Sequence, residues 1–309
     1  MENSGLILFN KPSGITSFDA LRDIKRVLGT GKVGHTGTLD KFASGLLIVL
    51  AGKALRLSRW FTHCDKKYTG KIHFGIETDT LDPEGKIIAQ APPPSLKDTE
   101  KALSQFTGDI MQAPPAYSAI HINGKRASSL ARSGELPEMK KRPVTIYKTE
   151  LVSWNPPFAE IFVHCSSGTY IRSLARDIAA AAGSRAHLCA LLRTDIAGFK
   201  LESGDCNSQT QCIQAHMDYQ QKSPLKTPCF LLPINKEVIS RLGLPWYEVC
   251  EKEAQDIFNG KPLETILKNK HLINNTLCKK SAVVFNGETL IAVVEKEDDV
   301  WKYGCVIAK

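Results

Sequence analysis

The chain has 309 residues, 42% of them hydrophobic and 23% charged, which fits a folded globular protein with room for one large domain and a smaller one. A formal net charge of +8 favours anionic partners, nucleic acid first. No apolar run approaches the ~18 residues of a membrane helix and Leu6–Phe9 is too brief for a signal peptide, while nine cysteines without a Cys-x-x-Cys pair and eight dispersed histidines exclude a disulfide framework and a metal cluster and point to reduced thiols in the cytoplasm.

Leu6–Phe9 reads as a short buried strand and Lys11-Pro12-Ser13-Gly14 as a turn. Ser17 or Asp19 caps a helix with the apolar stripe Leu21, Ile24, Val27 and Leu28. Gly29-Thr30-Gly31-Lys32-Val33-Gly34 matches the dinucleotide pattern G-x-G-x-x-G. A helix precedes it and a second glycine turn follows, the reverse of what that fingerprint needs, so a nicotinamide enzyme is rejected. Then comes a glycine-rich loop, Gly34-His35-Thr36-Gly37-Thr38-Leu39-Asp40-Lys41-Phe42-Ala43-Ser44-Gly45, leading into Leu46–Leu50.

Tyr68, Gly70, Ile72, Phe74 and Ile76 alternate with polar residues as in a half-buried strand. Asp82-Pro83-Glu84-Gly85 is a turn leading to Lys86–Ala89, which predicts a hairpin, and a helix runs from Ser95 to about Phe106. Residues 113–143, rich in Gly, Ser, Arg and Lys, read as a surface insertion. Val144–Trp154 and Ala159–Cys165 are strands, and Tyr170–Ala182 is a helix stopped by Gly183. Residues 204–228 form a polar connector, and from Phe230 a smaller unit ends in strands around Asn286-Gly287, a strong hairpin signal.

Several side chains carry chemistry. A lone acid on a flexible loop, Asp40 is a nucleophile or general base, or else it caps a turn. Tyr68 is an ordinary strand aromatic or a platform on which a nucleobase stacks. Arg172 falls in the first turn of a helix, where the dipole disfavours a cation, so it is either a surface residue or the partner of a carboxylate. Lys66-Lys67, Lys125-Arg126, Lys140-Lys141-Arg142 and Lys279-Lys280 are solvated faces or phosphate contacts.

Gly34–Asp40 with Ala43-Ser44-Gly45-Leu46-Leu47 resembles the catalytic motif of the TruB family of tRNA pseudouridine synthases. Lys11-Pro12-Ser13-Gly14, Lys66-Lys67-Tyr68, Pro114-Pro115-Ala116-Tyr117-Ser118-Ala119 and Gly168-Thr169-Tyr170-Ile171-Arg172 resemble further motifs of that family, in its order, over about residues 5–200. Leu188–Arg193 resembles its Leu-Arg-Arg-Thr region. The chain departs from the pattern at His121, Ser128 and Leu192, which touches the expected RNA contacts and leaves the chemistry as it stands.

The resemblance implies a two-domain α+β protein. Residues 1–229 would be a pseudouridine synthase domain with a mixed, mostly antiparallel sheet flanked by helices, and 230–309 a small β-rich, PUA-like RNA-binding domain. It implies isomerisation of uridine to pseudouridine in the T loop of tRNA, at position 55, by base flipping and with no cofactor or metal. Asp40 would be the nucleophile, with Tyr68 stacking on the base and Arg172 pairing with Asp40 and lowering its pKa. His35 would fill the space the base vacates, Lys11 support the active-site loop, and Tyr170, Ile171 and Leu191 line the pocket. Lys125, Arg126 and Arg142 would bind phosphates. The protein would act alone, as a cytoplasmic monomer with no protein partner and no membrane, with the T arm of tRNA as its partner. The alternatives are an RNA chaperone with an idle site and a guide-dependent relative within a protein complex.

Overall fold

The computed structural model describes residues 4–135, 137–200, 231–267, 280–298 and 300–307. The chain runs through β1 (Gly5–Lys11), α1 (Ser17–Leu28), β2 (Val33–His35), β3 (Ser44–Ala51), a 3-10 turn, α2 (Ser58–Thr62), β4 (Lys66–Phe74), β5 (Ile76–Thr78), β6 (Ile87–Gln90) and α3 (Leu96–Ser104). It continues with β7 (Gly108–Gln112), β8 (His121–Ile122), β9 (Lys125–Arg126), α4 (Ala127–Arg132), β10 (Arg142–Asn155), β11 (Phe158–Cys165), α5 (Ile171–Ala181), β12 (Ala186–Ile196) and β13 (Phe199–Lys200). After the segment that is not described come α6 (Lys236–Arg241), β14 (Trp246–Glu248), α7 (Glu251–Phe258), α8 (Leu263–Leu267), β15 (Ser281–Asn286), β16 (Thr289–Glu297) and β17 (Val300–Val306).

The large sheet has the order β1-β3-β12-β4-β11-β10-β7, with β2 on β3 and β13 on β12. Its pairs are antiparallel except β3 with β12, which run parallel through Leu192–Ser44 and Arg193–Gly45. Strands β1 and β3 are apolar on both faces because each face meets a different core. Leu6, Leu8, Leu46, Ile48 and Leu50 pack towards the C-terminal sheet, whereas Ile7, Phe9, Leu47 and Val49 pack against α1. A further core lies between α3, α5 and the strands β4, β11 and β12.

The smaller sheet, β14-β15-β16-β17, closes on the Asn286-Gly287 turn. Val283, Phe285, Leu290 and Val293 share a core with Leu6, Leu46 and Phe61. The predicted connector and the expected boundary near residue 229 lie outside the described residues. Among the described residues no helix is long and apolar enough to cross a membrane.

Several local expectations change. The cap of α1 is Thr16, whose hydroxyl accepts from the Asp19 amide while the Asp19 carboxylate accepts from the Thr16 amide. Ser17 is instead the first helical residue, and Val27 is exposed, while the buried face includes Ala20, Leu21, Ile24 and Leu28. Strand β4 ends at Phe74, because Gly75 (φ +95) turns the chain and Ile76 opens β5, the true partner of β6. Helix α3 stops at Ser104. The insertion leaves β7 and returns on β10, which pair at Gln112–Arg142. It is not wholly superficial, since Pro114, Pro115, Ser118, Ala127 and Ala131 are buried. Short β2, central β12 and the C-terminal helices went unforeseen.

Candidate active site

Asp40 sits on the loop between β2 and β3, propped from beneath by the turn that follows β1. The Gly14 amide donates to Lys41 O at 2.8 Å and the Ser13 hydroxyl to Phe42 O at 2.7 Å. Ser17 Oγ donates to Leu39 O at 2.9 Å and accepts from the Leu39 amide at 2.8 Å. Leu39 and Ala43 on either side are buried in the core. The carboxylate is thus held by its neighbours in the chain while a third of its side chain (35%) stays open to solvent.

Arg172, at the start of α5, meets it with both prongs: Nε lies 2.9 Å from Asp40 Oδ2, and Nη2 donates to Oδ1 at 3.0 Å. The rest of the guanidinium is also used. Nη1 donates to Thr80 O at 2.8 Å and to Asp82 Oδ2 at 3.2 Å, and Nη2 to Tyr117 O at 3.1 Å. The side chain is 5% exposed, so its charge is desolvated and balanced by two carboxylates, which is what a buried cation requires. This accounts for a cation in the first turn of a helix.

The electrostatics correct one expectation. Although part of the side chain is open, the protein packed around the carboxyl pushes it above the ordinary aspartate value, and the charge of Asp82 adds to this; Arg172 and Lys11 pull it down without reversing it. Lys11 is fully buried, with its ammonium donating to Pro12 O at 2.9 Å and Ile15 O at 2.8 Å. Burial lowers its pKa to about 8, against the pull of Asp40.

Tyr68 lies on the buried face of β4, opposite Val163 of β11 and Arg193 of β12. Burial pushes its phenol up, opposed by Arg193. Ile171 and Leu191 are buried beside it in the same core, and a Cβ at Gly70 would touch both, at 3.6 and 3.7 Å, and crowd Leu188 at 3.1 Å. Tyr170 caps α5, with its amide and carbonyl bonded to the Gln112 side chain at 2.8 and 3.1 Å. Arg142 is exposed at the start of β10, and its charge reaches the Tyr170 hydroxyl.

His35 ends β2 opposite Val49, on a strand and not on the turn expected for it. Burial, with Arg193 nearby, lowers its pKa. Lys125 and Arg126 are exposed on β9, and no bond of the Asp40–Arg172–Asp82 chain includes them. The structure therefore pairs Asp40 with Arg172, keeps the Lys11 charge near enough to act on Asp40, sets Tyr68, Ile171 and Leu191 in one core, and leaves the phosphate-binding candidates on the insertion.

Two residues escaped sequence reasoning. Asp82 looks fully explained by its turn, where Oδ1 accepts from Thr80 Oγ1 at 2.6 Å and from the Glu84 amide at 3.0 Å; nothing local reveals that Oδ2 takes Arg172. Arg193 had a readable signal, for it shares the period-two face of Leu191 on a strand.

A family model described as the N-terminal domain of TruB family pseudouridylate synthases matches residues 25–171. The tRNA pseudouridine synthase B of Borreliella burgdorferi is 46% identical over 205 residues, 65% of this chain and 72% of that protein. The protein of the same description from Treponema denticola is 36% identical, with 99% of each chain covered. Among solved structures, an H/ACA ribonucleoprotein bound to a substrate RNA containing 2′-deoxyuridine is similar in fold, with a TM-score of 0.65, 20% identity, and 99% of this chain and 84% of that one covered.

Proposed function

The chain belongs to the TruB family of pseudouridylate synthases, and on that premise we propose that it isomerises the uridine at position 55 in the T loop of tRNA. The reaction breaks the N1–C1′ bond, turns the base and joins C5 to C1′. C5 loses a proton and N1 gains one, so no oxidant, reductant or energy source is consumed. One nucleophile that adds and then leaves is sufficient.

Asp40 is that nucleophile. It adds to C6 of the base or to C1′ of the ribose, where a carboxylate stabilises an oxocarbenium-like centre. The observation that carries this reading is the two-pronged contact with Arg172, which holds both carboxylate oxygens while leaving the group open on one side. The target nucleotide leaves its stack to reach Asp40. Tyr68 stacks on it, Ile171 and Leu191 keep the site dry, and a dry site strengthens every charge within it.

His35 fills the gap left in the RNA, while Lys125, Arg126 and Arg142 neutralise phosphates of the T arm. Residues 230–309 act as a PUA-type RNA-binding unit beside the catalytic part, 1–229, and the protein works as a monomer without guide RNA or cofactor. The test is an isomerisation assay on unmodified tRNA with wild type and Asp40→Asn. Asp40→Asn should lose turnover by more than about a thousandfold and still bind tRNA. Residual activity above that level removes the nucleophile, and an inactive wild type that binds tRNA makes the protein a chaperone.

A further inference from the structure

Arg193 is 1% exposed and is among the bulkiest fully buried side chains. Its backbone, on β12, stands opposite Tyr68 of β4 on one side and Gly45 of β3 on the other. Nε donates to Leu46 O at 2.7 Å, and Nη2 donates to Gly37 O at 3.1 Å. Gly37 lies near the start of the Asp40 loop and Leu46 in β3 just beyond its end. As the cross-strand partner of Tyr68, Arg193 also places its charge close enough to act on the Tyr68 hydroxyl.

Among the described residues no carboxylate forms an ion pair with Arg193; the groups within its field include Lys11, Lys66 and His35. A buried cation without a counter-charge is unfavourable, and an apolar side chain would fill the volume at lower cost. What only arginine supplies is a rigid planar fork that serves several acceptors at once.

We propose that Arg193 is a positioning residue for the isomerisation, tying both ends of the Asp40 loop to the Tyr68 hydroxyl so that carboxylate and ring keep one register. The register needs such a tie because β3 and β4 are not neighbours; β12 lies between them. A single buried side chain on the middle strand spans the gap. This rests on the isomerase reading and adds to it a residue that touches neither RNA nor the reacting atoms.

The experiment compares wild type, Arg193→Lys and Arg193→Ala, with Arg193→Lys also in a Tyr68→Phe background. Single-turnover rates, tRNA affinity and far-UV circular dichroism are measured for each. Arg193→Lys should lose on the order of 100-fold in rate with tRNA affinity within about threefold. Added guanidinium should restore Arg193→Ala at least about fivefold, a recovery that a merely structural residue would not show. The losses from Arg193→Lys and Tyr68→Phe should combine to less than their product, because each acts through the other.

A rate for Arg193→Lys within about threefold of wild type overturns the proposal, as do losses that multiply fully. Failure of both single variants to fold overturns it too, since Arg193 is then a stability element. An active wild type with indifferent Arg193 variants sinks this inference alone, whereas a wild type that makes no pseudouridine sinks the isomerase reading beneath it.

Discussion

At the scale of single residues, the decisive quantity is the charge on Asp40. Its carboxyl is raised by burial and drawn back by Arg172 and Lys11, and the nucleophile we propose is its ionised form. The rate should therefore fall as pH drops through a pKa above the ordinary aspartate value of 3.8. Arg172→Lys keeps a positive charge but loses the fork that grips Asp40 and Asp82 together. Its acid limb should move to higher pH, with a rate loss of about 100-fold or more. Single-turnover rates across pH check both, and a wild-type limb at or below the ordinary value would contradict the burial argument. Asp40 and Arg172 were legible as a pair through their motifs. The direction of the carboxyl shift was not, because a motif names a partner but does not weigh it against desolvation. Asp82 was invisible for another reason: one oxygen closes a turn and the other reaches far along the chain.

At the scale of elements, the loop depends on how β3 begins. Gly45 has φ +106, and a Cβ there would lie 2.8 Å from Arg193 N and closer still to its carbonyl oxygen. Gly45→Ala should destabilise the fold by about 3 kcal/mol, combining an unfavourable backbone region with a clash against backbone that cannot move aside. Urea unfolding at neutral pH measures it, and a loss below about 1 kcal/mol would show that the two strands can part without penalty. Long or strongly alternating elements such as β4, β11 and α5 were readable from their patterns. The α1 cap, expected at Ser17 or Asp19, is Thr16 because Thr16, Ser17 and Asp19 all have the right chemistry, and only the backbone turn selects among them. Strand β12 was missed because the charged, buried Arg193 and Asp195 interrupt its apolar run; Arg193 serves the Asp40 loop, and Asp195 takes the Gly198 amide and Lys67.

At the scale of the whole molecule, charge sits where the insertion leaves the sheet. Lys125, Arg126, Lys140, Lys141 and Arg142 are all exposed, which suits a grip on phosphates. Affinity for tRNA should fall steeply with salt, and replacing Lys125 and Arg126 by alanine should lower the log–log slope by about 2. Filter binding across salt concentrations would show it, and an unchanged slope would remove this hairpin from the contact.

The contacts of Arg172 lie 55, 90 and 132 residues away in sequence, at Tyr117, Asp82 and Asp40. During synthesis the carboxylate leaves the ribosome well before its cation exists, at about 5–20 residues per second. A nascent or clipped chain that stops short of α5 carries Asp40, the proposed nucleophile, without Arg172, its ion-pair partner. Because β12 lies between β3 and β4 in the sheet and follows α5 in the chain, the proposed mechanism predicts that chains cut before α5 make no pseudouridine.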